Sequence, residues 1–289
     1  MHRRLLLVAF IAAYAASAMA IDLDPLWDFD HPGRSEERFR AALATATGDD
    51  AIILQTQIAR SYGLRGDFAK AKEILKNLEP ELPGAGVEAR ARYALELGRT
   101  YASATHPPES RSSDAKEQAR AAYRQAYEIA RGGELDGLAV DALHMLAFVD
   151  TEPADQLRWA QEALTIAQAS SQPAAKKWEA SLRNNIGYAL YQLGRYDEAL
   201  GQFRQAAVLR EKGEDAEAKR VAHWMVAWTL RALKRNDEAL AIQLRLERER
   251  EAAGAPSAYV FEELELLYRG KGDRARADHY AELKKAAAK

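Results

Sequence analysis

The sequence predicts an all-α protein built from stacked pairs of antiparallel helices. The chain combines 48% hydrophobic with 29% charged residues and is rich in alanine, as folded helical proteins are. A short turn followed by a helix with an early alanine recurs along the chain. Small and large apolar residues precede these alanines at helical spacings. Together, these three observations indicate a repeated helix pair.

The first twenty residues resemble an export signal. Arg3 and Arg4 make a basic start, an apolar run follows, and Ala18-Met19-Ala20 has the small-x-small pattern of a cleavage site. We therefore expect a signal peptide over residues 1–20, cleaved after Ala20, and an exported, periplasmic protein. The alternative is a retained anchor, but the apolar stretch is shorter than the roughly 20 residues that a spanning helix needs. No stable membrane insertion is expected after the leader is removed.

Residues 21–48 are predicted to form an N-terminal arm and a capping helix. Ile21–Arg34 is expected to be extended, with Trp27 and Phe29 packed onto the first repeat. Residues 35–46 are expected to form a helix. The open end of a helical stack needs a polar outer face, so we interpret this helix as a cap.

Residues 49–289 carry the repeated pattern. Its key alanines follow turns such as Gly66-Asp67-Phe68 and Gly194-Arg195-Tyr196, and they stand about 40 residues apart. A small residue stands twelve positions before the alanine, and a larger apolar residue stands nine before it. The alanines are Ala71, Ala119, Ala160, Ala199, Ala239 and Ala277, and the earlier residues include Ala59, Gly187, Ala227, Tyr62, Leu190 and Leu230.

At these residues the chain resembles the tetratricopeptide repeat (TPR) family, in particular exported bacterial members with long repeats of about 40 residues. The resemblance implies a right-handed α-solenoid of about six TPR-like helix pairs. Three departures make individual units less regular. Glu265 replaces a small residue, Gln243 replaces a large apolar one, and the third unit needs a one-residue slip around Asp150–Pro153.

Residues 102–113 form an irregular insertion within the second unit, with Pro107-Pro108 and several serines. Loops tolerate insertions at small entropic cost, so we expect a surface loop. The alternative is a lip over the groove of the solenoid.

The sequence carries no recognisable catalytic, metal or cofactor motif. It has no cysteine, no phosphate-binding glycine loop, no nucleophile elbow and no zinc-protease histidine pair. The formal net charge of −2 gives no basic character that would attract nucleic acid. We therefore expect a protein that is not an enzyme, without cofactors and without nucleic-acid partners.

The family resemblance places candidate binding residues on the first helix of each unit, which lines the concave groove. An asparagine carboxamide both donates and accepts, so it can hold a peptide backbone, and aromatic and arginine side chains are the usual anchors of an interface. The alternative is that the tryptophans and His144 simply pack between units. The candidates are Arg60, Arg99, His144, Phe148, Asn184, Asn185, Tyr188, Trp224 and Trp228, and the same rule also selects Thr56 and Leu95.

These features predict a non-enzymatic adaptor of the bacterial envelope that binds a protein or peptide segment in its groove. Two alternatives remain open at this point. The chain could be a structural scaffold that binds through its convex face or its ends. It could also be an accessory or regulatory subunit that docks a catalytic partner.

Overall fold

The computed structural model describes residues 21–287, and that part of the chain is helical without any strand. The predicted signal peptide lies outside the described residues. Fourteen α-helices occur within this range. They are α1 Pro32–Leu43, α2 Gly48–Leu64, α3 Phe68–Leu78, α4 Val87–Tyr101, α5 Ser113–Gly132, α6 Asp136–Val149, α7 Pro153–Ala169, α8 Pro173–Lys176, α9 Glu179–Gln192, α10 Tyr196–Glu211, α11 Ala216–Ala232, α12 Asn236–Ala252, α13 Ala258–Gly270 and α14 Arg274–Ala287.

The helices form a right-handed α-solenoid of six antiparallel pairs, as predicted. The pairs are α2–α3, α4–α5, α6–α7, α9–α10, α11–α12 and α13–α14. All six repeat alanines lie on the second helix of their pair and are at most 1% exposed. Small residues at these places let neighbouring helix axes approach closely, which explains the period read from the sequence.

Two glycines on first helices accept an aromatic ring from the second helix of the same pair. A Cβ added to Gly98 would lie 2.5 Å from the Tyr123 ring, and one added to Gly187 would lie 2.7 Å from Phe203. Both rings are fully buried. The aromatic rings therefore occupy space that is available only because the residue on the first helix is glycine.

The turns inside the pairs share one backbone geometry. Gly66, Gly194 and Gly272 have positive φ angles of 80°, 74° and 78°, and Lys234 takes the same place in the fifth pair with φ 62°. In each turn the next amide donates to a carbonyl five residues earlier, as in Arg195 N to Leu190 O at 2.9 Å. This is the Schellman ending of a helix, where glycine is usually favoured.

The capping helix α1 lies three residues earlier than predicted, since it begins at Pro32, where proline is well tolerated in a first helical turn. It packs on α2 through Phe39, which is fully buried. The helix α8 was not predicted. It lies between the third and fourth pairs and packs on α6, with Ala175 fully buried.

Candidate functional site

The candidate residues lie on the first helices α2, α4, α6, α9 and α11, and we call the side of the solenoid formed by the first helices the groove face. Its two halves differ in chemistry. In the first three repeats the groove face is charged and largely covered. In the last three it is aromatic and more open. Thr56 and Leu95 are fully buried, so two positions selected by the family rule belong to the core instead.

A buried charge cluster joins the first three repeats. Arg99 in α4 donates through Nη2 to Asp141 Oδ1 in α6 at 2.5 Å and through Nη1 to Glu96 Oε1. Arg60 in α2 places its Nη1 3.8 Å from the same Glu96 oxygen. The four side chains carry two positive and two negative charges, so the cluster is balanced.

Burial and charge act against each other in this cluster. Burial raises the pKa of Asp141, but the guanidinium groups of Arg99 and Arg60 outweigh this effect and hold that pKa below its ordinary value. For Arg60, burial and the nearby charge of Arg99 lower the pKa. Burial also lowers the pKa of Arg99, but Asp141 and Glu96 outweigh it and raise that pKa above its ordinary value. Asp141 therefore stays ionised, and Arg99 is committed to ion pairs within the protein.

The N-terminal arm lies over this charged half, with Trp27 and Phe29 on the first repeat as predicted. The two rings stack with centroids 4.6 Å apart, and the Arg60 guanidinium lies 5.3 Å from the Trp27 ring and 5.5 Å from the Phe29 ring. Trp27 Nε1 donates to Gln57 Oε1 at 3.3 Å. Asp24 of the arm lies 3.6 Å from Nζ of Lys177, which stands between α8 and α9.

The insertion at residues 102–113 lies mostly at the surface, as expected, but it is anchored by Ala102, Ser103 and His106, which are buried. His106 is buried and stacks on Phe68 at 3.5 Å between ring centroids. Residues 103–105 help to wall a cavity of about 140 Å³ that Arg60 and Arg99 also line. Arg111 lies 5.2 Å from the Phe148 ring. The insertion therefore forms a lip beside the charged half of the groove face.

An aromatic ladder runs across the fourth to sixth repeats. Trp228 stacks on Tyr191 with ring centroids 3.5 Å apart, on Trp224 at 5.7 Å and on Tyr188 at 6.2 Å. Tyr259 in α13 extends the ladder edge-on from Trp224. Tyr188 is 46% exposed and Tyr259 is 69% exposed, while the two tryptophans are half-buried. The ladder thus combines packing between repeats with an accessible apolar surface.

Two cavities lie beside the ladder, where the second helix of one repeat ends and the next repeat begins. The first, of about 370 Å³, is lined by His144, Trp178, Asn184, Asn185 and Arg210 among others, and we call it the polar cavity. The second, of about 230 Å³, is lined by Trp224, Met225, Leu246, Tyr259 and Val260 among others, and we call it the apolar cavity. Val221 lines both cavities.

The polar cavity brings together three of the predicted residues. His144 Nδ1 accepts from Asn185 Nδ2 at 3.2 Å, and burial lowers the pKa of His144. Asn184 lies on the same wall and makes no side-chain hydrogen bond within the described chain. A neutral imidazole and two carboxamides can together bind a peptide group by both donating and accepting.

Sequence reasoning missed Tyr191 and Tyr259 in the ladder and Arg210 in the polar cavity. Tyr191 stands three residues after Tyr188, so helical spacing alone places it on the same face. Arg210 comes from a second helix, and the family rule considers only first helices. Within residues 21–287, no group of three or more His, Asp or Glu is placed to hold a metal ion. None of the helices described in that range is both long and apolar enough to cross a bilayer.

Comparison with known proteins agrees with this architecture. Residues 178–248 match the family model described as tetratricopeptide repeat. No curated protein matches the chain. Among solved structures, the apo form of RapI has a TM-score of 0.70 at 14% identity, over 90% of this chain and 72% of that one.

Two other solved structures are also similar. The first is a signal transduction ATPase with numerous domains from Pyrococcus horikoshii, which has a tetratricopeptide repeat sensor. Its TM-score is 0.69 at 15% identity, over 88% of this chain but only 39% of that one. A Rap protein complexed with competence and sporulation factor has a TM-score of 0.53 at 19% identity, over 88% of this chain and 69% of that one. At these identities, the likeness concerns the fold.

Proposed function

Because the chain is a tetratricopeptide repeat solenoid, we propose that it is a non-catalytic protein–protein interaction adaptor whose groove face binds an extended peptide or protein segment. The observation that carries the proposal is the accessible part of the aromatic ladder, beside the two cavities. Exposed aromatic surface of this kind is typical of binding sites, since isolated soluble chains rarely expose contiguous apolar patches without a role. The segment would lie along the fourth to sixth repeats.

The charged half, in the first three repeats, supports the groove and does not itself contact the bound segment. There the arm already covers Arg60, and Arg99 is held by Glu96 and Asp141. Arg60 and Arg99 therefore maintain the shape of the groove, whereas Asn184, Asn185 and Tyr188 would contact the bound segment. The Rap protein solved with competence and sporulation factor offers a parallel on the same fold.

Selection of random decapeptides displayed on phage, with the purified protein as bait, tests this proposal. Peptides that bind the wild type and are lost with Tyr188→Ala support it. A matched control is Val208→Ala, which removes another exposed apolar side chain, on the second helix α10. If no peptide is enriched, or if both variants retain the same peptides, groove binding is wrong.

We also propose that the protein is exported and acts in the bacterial envelope, because residues 1–20 have the composition of a signal peptide. N-terminal sequencing of the protein from its own cells should begin at Ile21. A product that begins at Met1 would remove the envelope location and leave the adaptor role standing. The scaffold and accessory-subunit alternatives would show partners that are insensitive to Tyr188→Ala.

A further inference from the structure

The polar and apolar cavities are the same structural site, built twice. Six lining residues of the polar cavity have a counterpart in the apolar cavity at the interval that separates Ala199 from Ala239, whereas His144, Trp178, Tyr259 and Val260 have none. Their positions are equivalent, but their chemistry differs. The pairs are Ala180 and Arg220, Ser181 and Val221, Asn184 and Trp224, Asn185 and Met225, Ala206 and Leu246, and Arg210 and Arg250.

The two equivalent arginines are in different electrostatic states. In the apolar cavity Arg250 forms an ion pair with Glu217, so its charge is already matched. In the polar cavity Arg210 donates to the hydroxyl of Ser181 at 2.7 Å, and no carboxylate lies within ion-pair distance of it in the described chain. No acidic side chain lines the polar cavity. This cavity therefore carries an unmatched positive charge.

Two acidic residues close to the polar cavity are already bound to other partners. Arg210 also borders a neighbouring hollow that contains Glu179 and Asp215. Glu179 pairs with Arg183 at 2.8 Å, and Asp215 caps helix α11 by accepting from Ala218 N at 2.9 Å. The remaining charges of that hollow are Lys176, Lys177 and Glu214, and Lys177 pairs with Asp24 of the N-terminal arm at 3.6 Å.

The spacing of the cavities suits a polyproline II peptide. Val221 lines both cavities, so the two cavities adjoin each other along the groove face. In a polyproline II chain, residues i and i+3 point to the same side and lie about 9 Å apart. One such peptide can therefore place a side chain in each cavity, with two residues between them passing over Val221.

We propose that the groove face reads a two-residue code: an acidic side chain in the polar cavity and a bulky apolar side chain in the apolar cavity, three positions apart on one extended segment. The carboxylate would accept from Arg210 and from the carboxamide of Asn184. The apolar side chain would pack against Trp224 and Tyr259. This code specifies the partner of the proposed function and rests on it.

Decapeptide selection on three baits tests the code. The wild type should enrich Asp or Glu three positions from Trp, Phe, Tyr, Leu or Ile. Arg210→Glu should replace the acidic preference with Lys or Arg and keep the apolar preference. The matched control is Arg204→Glu on the same helix, where the side chain is 51% exposed and lines neither cavity. This control should select the same peptides as the wild type.

A synthetic peptide from the wild-type selection gives a second measurement. Its affinity should fall roughly tenfold or more for Arg210→Gln, as expected when a hydrogen bond to a charged group is lost. Circular dichroism should show the variant folded. Enriched peptides that depend on Tyr188 but are unchanged by Arg210→Glu would overturn the code and leave groove binding intact. If none of the three baits enriches a peptide, the proposed function and the code are both wrong.

Discussion

Arg99 of the second repeat donates to Asp141 of the third across 2.5 Å, and both side chains are largely withdrawn from solvent. Removal of one partner of a buried ion pair leaves an uncompensated charge and typically costs about 3–5 kcal/mol. We therefore expect Asp141→Ala to lower the free energy of unfolding by about this amount in urea titrations. Glu73→Ala removes an exposed carboxylate from a pair with Lys70 and should cost less than about 1 kcal/mol. Equal losses for the two variants would contradict the role of the cluster.

Gly187 and Gly201 offer a matched pair of glycine-to-alanine substitutions. A Cβ at Gly187 would lie 2.7 Å from the Phe203 ring, whereas one at Gly201 meets nothing within 4 Å. Gly187→Ala should destabilise by about 1–3 kcal/mol through overpacking. Gly201→Ala, inside α10, should stabilise by up to about 1 kcal/mol. Thermal unfolding of both proteins checks the opposite signs, and Phe203→Leu should partly rescue Gly187→Ala.

Lys234 occupies a turn position at which three other repeats have glycine. Its φ of 62° is costly for a side chain with a Cβ, by about 1–2 kcal/mol in the left-handed region. Lys234→Gly should therefore raise the melting temperature slightly, since part of the gain is offset by the greater freedom of glycine when unfolded. Gly194→Ala, the reverse change in the fourth repeat, should lower it. A loss of stability for Lys234→Gly would show that its side chain makes a compensating contact.

His144 should make stability depend on pH near neutrality. Burial lowers its pKa, with Arg99 acting in the same direction and Asp141 opposing it. As the pH falls through about 6.5, the unfolded histidine binds a proton that the folded one resists, so the free energy of unfolding decreases. We expect this decrease to be smaller for His144→Gln, measured by urea titration between pH 7.5 and 5.5. His106, whose pKa burial also lowers, should provide a residual slope in the variant. Parallel pH curves for the two proteins would contradict the shift.

Trp228 lies at the centre of the aromatic ladder and should be an anchor for the bound segment. Loss of such an anchor costs about 2 kcal/mol or more, so Trp228→Ala should weaken a selected peptide roughly thirtyfold. Because Trp228 also packs on Tyr191, some stability will be lost, and affinity must be measured per folded molecule. Tyr188→Ala, at a more exposed ring, should weaken binding with little effect on unfolding. Unchanged affinity in both variants would show that the ladder is only packing.

The helix pairs were predictable because each repeat buries its alanine at the same place, as Ala199 and Ala239 do. Local spacing is sufficient for such features. The partners of Arg60 and Arg99 were not predictable in the same way. The repeat pattern predicts which helix face a residue occupies, but it does not predict which charged residue will pair with it. Arg210 enters the site from a second helix, so only the packed structure brings it beside Asn184.

The buried charge cluster also has a consequence for temperature. Hydration of charged groups becomes less favourable on warming, so the cost of keeping Arg99 and Asp141 away from water falls as the protein is heated. The apolar contacts around Trp228 weaken on cooling, because hydrophobic stabilisation declines in the cold. Both contributions are thus less favourable in the cold, but on warming the cost of the charge cluster continues to fall while hydrophobic stabilisation levels off. Heating should therefore loosen the aromatic half before the charged half, and local hydrogen exchange close to the melting transition should be faster in α11 than in α4.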